Sequence, residues 1–535
     1  MHDPHNPHAP HNPHTLHDLH SPHDLARPRT AEHHDLPFPL PLLPPGAGTM
    51  DRRTFLTAAG TGAAALSLGA VTAPAAVAAP TDPRLLKTWF RDTYRSIEAM
   101  TTDFGLVTDK IDLSGPGAPV QSTQTSPTNI GCGLWSTVAA AGLGVIREST
   151  MVRALTRTVA AVEKLERHHG FWLNWYDAHD GSVLTEWPGT GDPVRPFLSS
   201  VDNAWLLTGL RIAADAAPAL RPRIDRILAT ADWSYFYTPY DPADPVAGPG
   251  QLRGGVWTDT DEPTPHHYGA LNTEPRMASY LGIADGSLPT DHYWHMLRTM
   301  LPEHEQEQKP GGGYVTVDGV RVWNGHYTHR GRRVVPTWGG SMFEALMVPL
   351  FVPEQQWSPR AWGVTHHRYV RGQIDHGLRE AEYGYWGFSP SNVPEDGYQE
   401  YGVDALGMAV DGYASNTDRT YTTDGEPLPP PSAFTNGVVT PHASFLALPY
   451  AGREAVANLR ALERDFGAYE DGLGFRDSVN VSTGRVSDFM LALDQGMIVA
   501  ALAQELRPGL LQRPFRTGGF RSRVRPLLER ERFSI

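Results

Sequence analysis

The sequence predicts a mainly α chain built as a toroid of helical hairpins, an (α/α)-barrel with long loops and a few short strands on one wide face. Three observations carry this reading. About a dozen segments repeat apolar residues at helical spacing, few segments alternate as strands do, and the connections between helices are alternately short and long. Short connections fold consecutive helices into antiparallel pairs, which gathers the long loops together.

Residues 85–100 form the first predicted helix, with Leu86, Phe90, Tyr94 and Ile97 on one stripe and Trp89 beside them. Residues 108–130, rich in Gly, Ser, Pro and Thr, predict a loop. Residues 134–145 and 151–165 predict a helical hairpin, the second helix carrying Val152, Leu155, Val159 and Val162 on one side. Residues 171–177 read as a strand that turns at Asp180-Gly181, and residues 199–203 lead into a helix over 204–214. Further helices are predicted over 224–235, 272–283, 292–300, 341–351, 362–380, 442–448, 453–466 and 488–506, with a strand pattern over 314–322.

With 535 residues, 40% of them hydrophobic, the chain can bury one large core or two moderate ones. A net charge of -14 argues against nucleic acid as a partner, because phosphate binding relies on clustered Lys and Arg. Cys132, the single cysteine, excludes an intramolecular disulfide and a Cys-rich metal site. From Met50 the chain has Arg52-Arg53 followed by Phe55 and Leu56, an Ala/Gly-rich apolar run, and the small-residue motif Ala76-Val77-Ala78. This is the layout of a twin-arginine signal peptide over 50–78, so a mature protein is expected from Ala79, exported by the twin-arginine translocation machinery to the cell envelope or medium. Residues 1–49, with His2, His5, His8, His11, His14, His17, His20 and His23 among Pro, Asn and Asp, read either as a metal-binding tract or, preferably, as disordered text upstream of the true start. Residues 79–506 then form the main domain, and 507–535 an Arg-rich extension expected to be solvated or loosely packed.

The stretch most dense in chemistry is 383–412. It sets Tyr385, Trp386, Phe388, Tyr398 and Tyr401 among Glu395, Asp396, Glu400 and Asp404, with Gly and Pro keeping the backbone irregular. Aromatic faces stack on the C–H faces of pyranose rings, and carboxylates bond hydroxyls or move protons, so this composition suits a sugar site; a Tyr-rich surface loop is the plainer alternative. The pairs His168-His169, His266-His267 and His366-His367 have no metal-ligand spacing, and no nucleophile elbow or Walker loop is present.

Seven motifs occur in order: Leu173-Asn174-Trp175-Tyr176-Asp177, SSVDNAWL from Ser199, NTEPRMASYLGIADG from Asn272, TWGGSMFEALMVPLF from Thr337, WGFSPSN…DGYQEYGV from Trp386, Leu473-Gly474-Phe475-Arg476-Asp477-Ser478, and LALDQGMIV from Leu491. Together they resemble the bacterial glucoamylase-like domain, which includes the endo-β-1,2-glucanases of glycoside hydrolase family 144 and the transglycosylase domain of cyclic β-1,2-glucan synthases. The resemblance implies a secreted, glycan-active (α/α)6 barrel that needs no metal or other cofactor, with Glu274 as general acid. The chain departs from the family at Pro275 and Met277, where the usual text is TEARL, and at Pro390, where relatives carry Glu.

Glycoside cleavage uses two carboxyl groups, one to protonate the leaving oxygen and one as base or nucleophile. The acid needs an apolar or anionic setting that keeps it protonated. Glu274 follows His266, His267 and Tyr268 and begins the apolar segment 277–283; a helix-start glutamate stabilised as an anion is the alternative. Candidates for the second carboxyl are Asp202, Glu400, Glu395 and Asp477, with Glu400 preferred as base and Asp202 as a positioning or alternative catalytic group. Trp175, Trp205, Trp338 and Trp386 are candidate sugar platforms or core residues, and Asn203, Tyr398, Arg276, Arg476 and Glu344 candidate hydroxyl-binding groups. For Arg276, Arg476 and Glu344 the alternative is pairing with one another or with nearby acids. The expected function is a glycoside hydrolase acting on a β-glucan, β-1,2-glucan foremost, by an inverting acid/base mechanism. A transglycosylase, a hydrolase of another surface glycan, or an inactive glycan-binding protein are the alternatives.

Overall fold

A computed structural model describes residues 82–304, 306, 308–395, 397–408 and 431–535. The expectations for 1–49, for the signal over 50–78 and for Asp396 lie outside the described residues. The described residues belong to one compact unit, mostly helical. Its α-helices in chain order are α1 (Pro83–Met100), α2 (Pro127–Gly142), α3 (Glu148–Val162), α4 (Ser200–Ala216), α5 (Arg221–Leu228), α6 (Arg276–Asp285), α7 (His292–His295), α8 (Met342–Leu346), α9 (Glu354–Trp357), α10 (Trp362–Asp375), α11 (Pro441–Leu446), α12 (Leu448–Phe466), α13 (Ala492–Leu506) and α14 (Arg525–Arg530).

Two kinds of helix are present, and the difference is written in their sequences. Helices α1, α3, α5 and α12 bury one face only; α3, for example, buries Met151, Leu155, Val159 and Val162 while its Arg and Thr residues face outward. Helices α2, α4, α6, α11 and α13 are apolar around most of their circumference and buried accordingly. They pack on one another, α2 on α4, α4 on α6, α8 on α11, α11 on α13 and α13 on α2. Arg276 of α6 reaches α8 by donating to the carbonyls of Glu344 and Ala345. The one-faced helices lie outside these: α1 on α13 and α2, α3 on α2, α5 on α4, α12 on α11. Small residues set the closeness of the inner packing, since a Cβ on Gly131 of α2 would stand 2.5 Å from the Trp205 carbonyl oxygen of α4.

The helix α2 starts seven residues before its expected position, at the Ser126 cap and Pro127; the Ser hydroxyl accepts the Asn129 N–H at 3.2 Å. The C-terminal segment is the larger correction. In place of a solvated extension, Phe515, Phe520, Val524, Leu527, Leu528 and Phe533 are buried, Phe520–Val524 packs on α6, and Arg298 pairs with Glu531 at 2.6 Å, both almost sealed from solvent. Its many arginines mask an apolar stripe that makes it the outer partner of α6.

Strands are short. The longest ladder is the antiparallel hairpin Gly311–Val317 with Val320–His329, extended by Arg332–Val334. The rest are ladders of two to four residues that pin loops to helix starts: Lys110–Asp112 pairs with Phe489–Leu491 ahead of α13, Phe197–Ser199 with Gly255–Trp257 ahead of α4, and Ser391–Asn392 with Tyr398–Gln399.

Candidate active site

Several inner helices carry buried polar residues in or just ahead of the first turn. Thr128 of α2 donates its hydroxyl to Asp202 of α4. The Trp205 indole, also on α4, donates to Glu274 Oε2 at 2.9 Å, just ahead of α6. His442 of α11 lies 3.0 Å from Asp494 of α13. Helix starts present unpaired N–H groups and a positive dipole end, so buried acids are least costly there. Glu274, Asp202 and Glu400 are each buried, at 6%, 2% and 6% exposure.

Glu400 directly follows the strand Tyr398–Gln399, whose partner strand is fixed at Asn392. The Asn392 N–H donates to Asp477 Oδ2 at 2.6 Å, its side-chain oxygen accepts from Lys110 Nζ at 3.0 Å, and its carbonyl accepts the Ser478 hydroxyl at 2.7 Å. Beyond Glu400 the backbone runs against the entry to α8; a Cβ on Gly402 would stand 1.8 Å from the Gly339 carbonyl oxygen. Three distant segments thus fix one loop.

Tyr398 joins the acids into one set. Burial and then the charges of Glu400, Asp494, Glu274 and Asp477 push its phenol well above its ordinary pKa. Asp109, pushed up by burial and held by Asn129 at 2.9 Å, feels Asp202 and in turn raises Asp494. Asp477 and Asp494 both lie well above the carboxylate range, through burial first, and Asp477 also through the adjacent Asp494. Burial lowers His442 to about 4, so it is neutral. An anionic, poorly solvated setting of this kind keeps a carboxyl protonated, the condition for a general acid.

Several expected sugar-binding groups are committed to the fold. Arg276 places all five N–H groups on protein acceptors: two on Glu354, and one each on the Thr273, Glu344 and Ala345 carbonyls, leaving no donor for a hydroxyl. Its acid partner is Glu354, not Glu344. Glu344 closes a capping box with Ser341 and accepts the N–H groups of Trp338 and Gly339 at 3.1 Å each. Asn203 spends its amide on Trp172 and Ser199, and Asp477 accepts the N–H groups of Asn392 and Leu491. Trp386 is buried, and its backbone N–H donates to the Asn458 side-chain oxygen. Arg476 pairs with Glu470 and Asp488, and the half-exposed Glu395 with Arg485. Trp338 and Trp175 are partly exposed, the latter edge-on to Trp187 with centroids 5.0 Å apart.

Asp494, Asp109, His442 and Lys110 were not among the expected site residues. Asp494 stood in the LALDQGMIV motif, and Asp109 and Lys110 in a segment read as plain loop. Among the described residues no group of three or more His, Cys, Asp or Glu is arranged to hold a metal ion. A cavity of about 250 Å³ lined by Arg211, Asp215, Arg221, Asp285 and Phe520 lies at the other ends of α4 and α6 and contains none of these carboxyls.

Comparison with known proteins bears on this geometry. Residues 315–518 match the family model Glycoamylase, described as "Putative glucoamylase". The cyclic β-(1,2)-glucan synthase NdvB of Rhizobium meliloti (strain 1021) is 29% identical over 262 residues, 46% of this chain, which spans only 7% of that protein's length. In fold, the endo-β-1,2-glucanase from Chitinophaga pinensis, solved with sophorotriose and glucose, is similar with a TM-score of 0.58 at 15% identity, covering 84% of this chain and 98% of that one. The endo-β-1,2-glucanase from Talaromyces funiculosus, solved with sophorose, gives 0.59 at 12% identity, covering 85% and 91%. The chain therefore matches a glucoamylase-like family model over residues 315–518, is similar in sequence to part of a cyclic β-1,2-glucan synthase, and resembles endo-β-1,2-glucanases in fold.

Proposed function

We propose that this protein is a glycoside hydrolase that cleaves β-glucan, β-1,2-glucan foremost, with Glu274 as general acid and Glu400 as general base. The observation that carries the reading is that Glu274, held by the Trp205 indole, and Glu400, on a loop fixed from three sides, both act on the Tyr398 phenol together with the buried Asp477 and Asp494. The helix contacts run from α2 through α4, α6, α8, α11 and α13 back to α2, which supports reading the fold as an (α/α)6 barrel with its site at the helix starts. Glu274 protonates the leaving glycosidic oxygen as the C–O bond breaks. Glu400 takes a proton from the attacking water, and the new hydroxyl appears at the anomeric carbon with inverted configuration. Trp175 and Trp338 offer partly exposed ring faces to neighbouring sugar units. The twin-arginine layout read in the sequence over residues 50–78 supports a reaction outside the cytoplasm.

A second reading has one observation in its favour, the similarity to the synthase: transfer of the glycosyl unit to a sugar hydroxyl in place of water. Proton NMR of the reaction with β-1,2-glucan separates the two. New reducing ends of inverted configuration support hydrolysis, and unchanged bond number with altered chain length supports transfer. Glu274→Gln and Glu400→Gln are each expected to lower kcat by about 10²- to 10⁴-fold while the fold is retained. Full activity in either variant removes that residue from its role.

A further inference from the structure

We infer that the Tyr398 hydroxyl is a substrate contact at the bond being cleaved, donating a hydrogen bond to an oxygen of the glucan held between Glu274 and Glu400. This rests on the hydrolase reading and adds to it a group that is neither acid nor base. The hydroxyl is shut off from solvent, although its ring is partly exposed, and has no hydrogen-bond partner among the described residues. A buried hydroxyl left unbonded costs about 1–3 kcal/mol, and its persistence calls for a partner that arrives from outside.

The surroundings name that partner. The charges of Glu400, Asp494, Glu274 and Asp477 all act on the phenol, while other donors are committed: the Trp205 indole to Glu274, the Asn392 amide to Val393, and Arg276 to Glu354 and carbonyls. Tyr398 therefore supplies an O–H among carboxyl groups, and it stays protonated throughout the range in which carboxyl catalysis operates. Its place is also fixed. Tyr398 pairs with Asn392 across the short ladder, and Asn392 is tied to Lys110, Asp477 and Ser478, so the hydroxyl is held before substrate arrives. An uncharged donor that feels both candidate catalytic groups is suited to a sugar oxygen, which accepts a hydrogen bond without adding charge to an acidic site.

The test is Tyr398→Phe in the full chain, which keeps the ring and the ladder. With β-1,2-glucan, kcat/KM is expected to fall about 10- to 100-fold, while the melting temperature stays unchanged, because no bond within the protein is removed. A second measurement reads the contact without turnover: binding of β-1,2-linked glucose oligosaccharides to Glu274→Gln against Glu274→Gln/Tyr398→Phe, with about 10-fold weaker binding expected for the latter. A kcat/KM within twofold of wild type, together with equal binding, overturns the inference and leaves the hydroxyl bonded to ordered water only. A lowered melting temperature also overturns it, by showing a partner within the protein. If the wild-type protein leaves β-1,2-glucan intact, the hydrolase reading itself fails and the inference falls with it; cleavage by wild type and variant alike removes the inference alone.

Discussion

Arg276 and Glu354 are both completely buried and joined by two hydrogen bonds, with Tyr280 donating to the same carboxylate at 2.8 Å. Removing one charge strands the other in a low-dielectric interior. Glu354→Gln is therefore expected to lower stability by about 3–5 kcal/mol, read from urea denaturation, whereas Arg476→Ala, which breaks two partly exposed pairs, is expected to cost about 1 kcal/mol or less. Equal losses would contradict the distinction between the two arginines. The sequence presents both as residues beside glycan-type motifs, and residue type does not reveal which donors remain free. Glu354 lies 78 positions from Arg276, so the pairing becomes visible only once α6 and α9 are packed. Glu274 is expected from the resemblance carried by its TE-R motif, and its buried place ahead of an apolar helix fits that expectation. Asp494, in the first turn of α13, carries no comparable signal in the sequence, because a first-turn aspartate reads equally as a dipole partner.

At the scale of elements, amphipathic helices were the most legible part of the fold. The stripes of α1 and α3 fall where the apolar spacing placed them, since each needs only one covering surface. The helices 292–300 and 341–351 proved shorter, ending at His295 and Leu346, because Leu297 bridges to Ala270 and Val348–Leu350, with Pro349 inside it, tightens into a 3-10 turn. Ladders of two residues leave no alternation to detect, so the clamps around Asn392 were invisible in the sequence. The C-terminal segment misled through composition: its arginines face outward while Phe515, Phe520, Leu527 and Phe533 point in. A chain ending at Arg507 is expected to lose its cooperative melting transition, because the outer face of α6 is uncovered and Arg298 loses Glu531. A truncated protein that melts as the full chain does would show that the segment is an ornament.

At the scale of the whole molecule, acids are gathered in the interior at the helix starts, and this has a thermodynamic signature. Asp494 has a folded-state pKa raised by burial, so the folded protein holds a proton that the unfolded chain has released. Stability from this group is present at low pH and lost as pH rises from the unfolded value toward the folded one. Asp494→Asn removes that penalty, and its stability relative to wild type is expected to increase from pH 5 to pH 8, measured by denaturation midpoints at both. A difference independent of pH would show that Asp494 titrates normally. The same buried acidity suits the proposed acid/base cleavage of a β-glucan, and linkage specificity tests that proposal most directly. The direct measurement is product analysis of residues 79–535 incubated with separate β-1,2-, β-1,3-, β-1,4- and α-1,4-linked glucans. The account predicts that β-1,2-glucan is cut to shorter oligosaccharides in preference to the others. Cleavage of α-1,4-glucan with β-1,2-glucan untouched, or binding of a glycan without any cleavage, would contradict it.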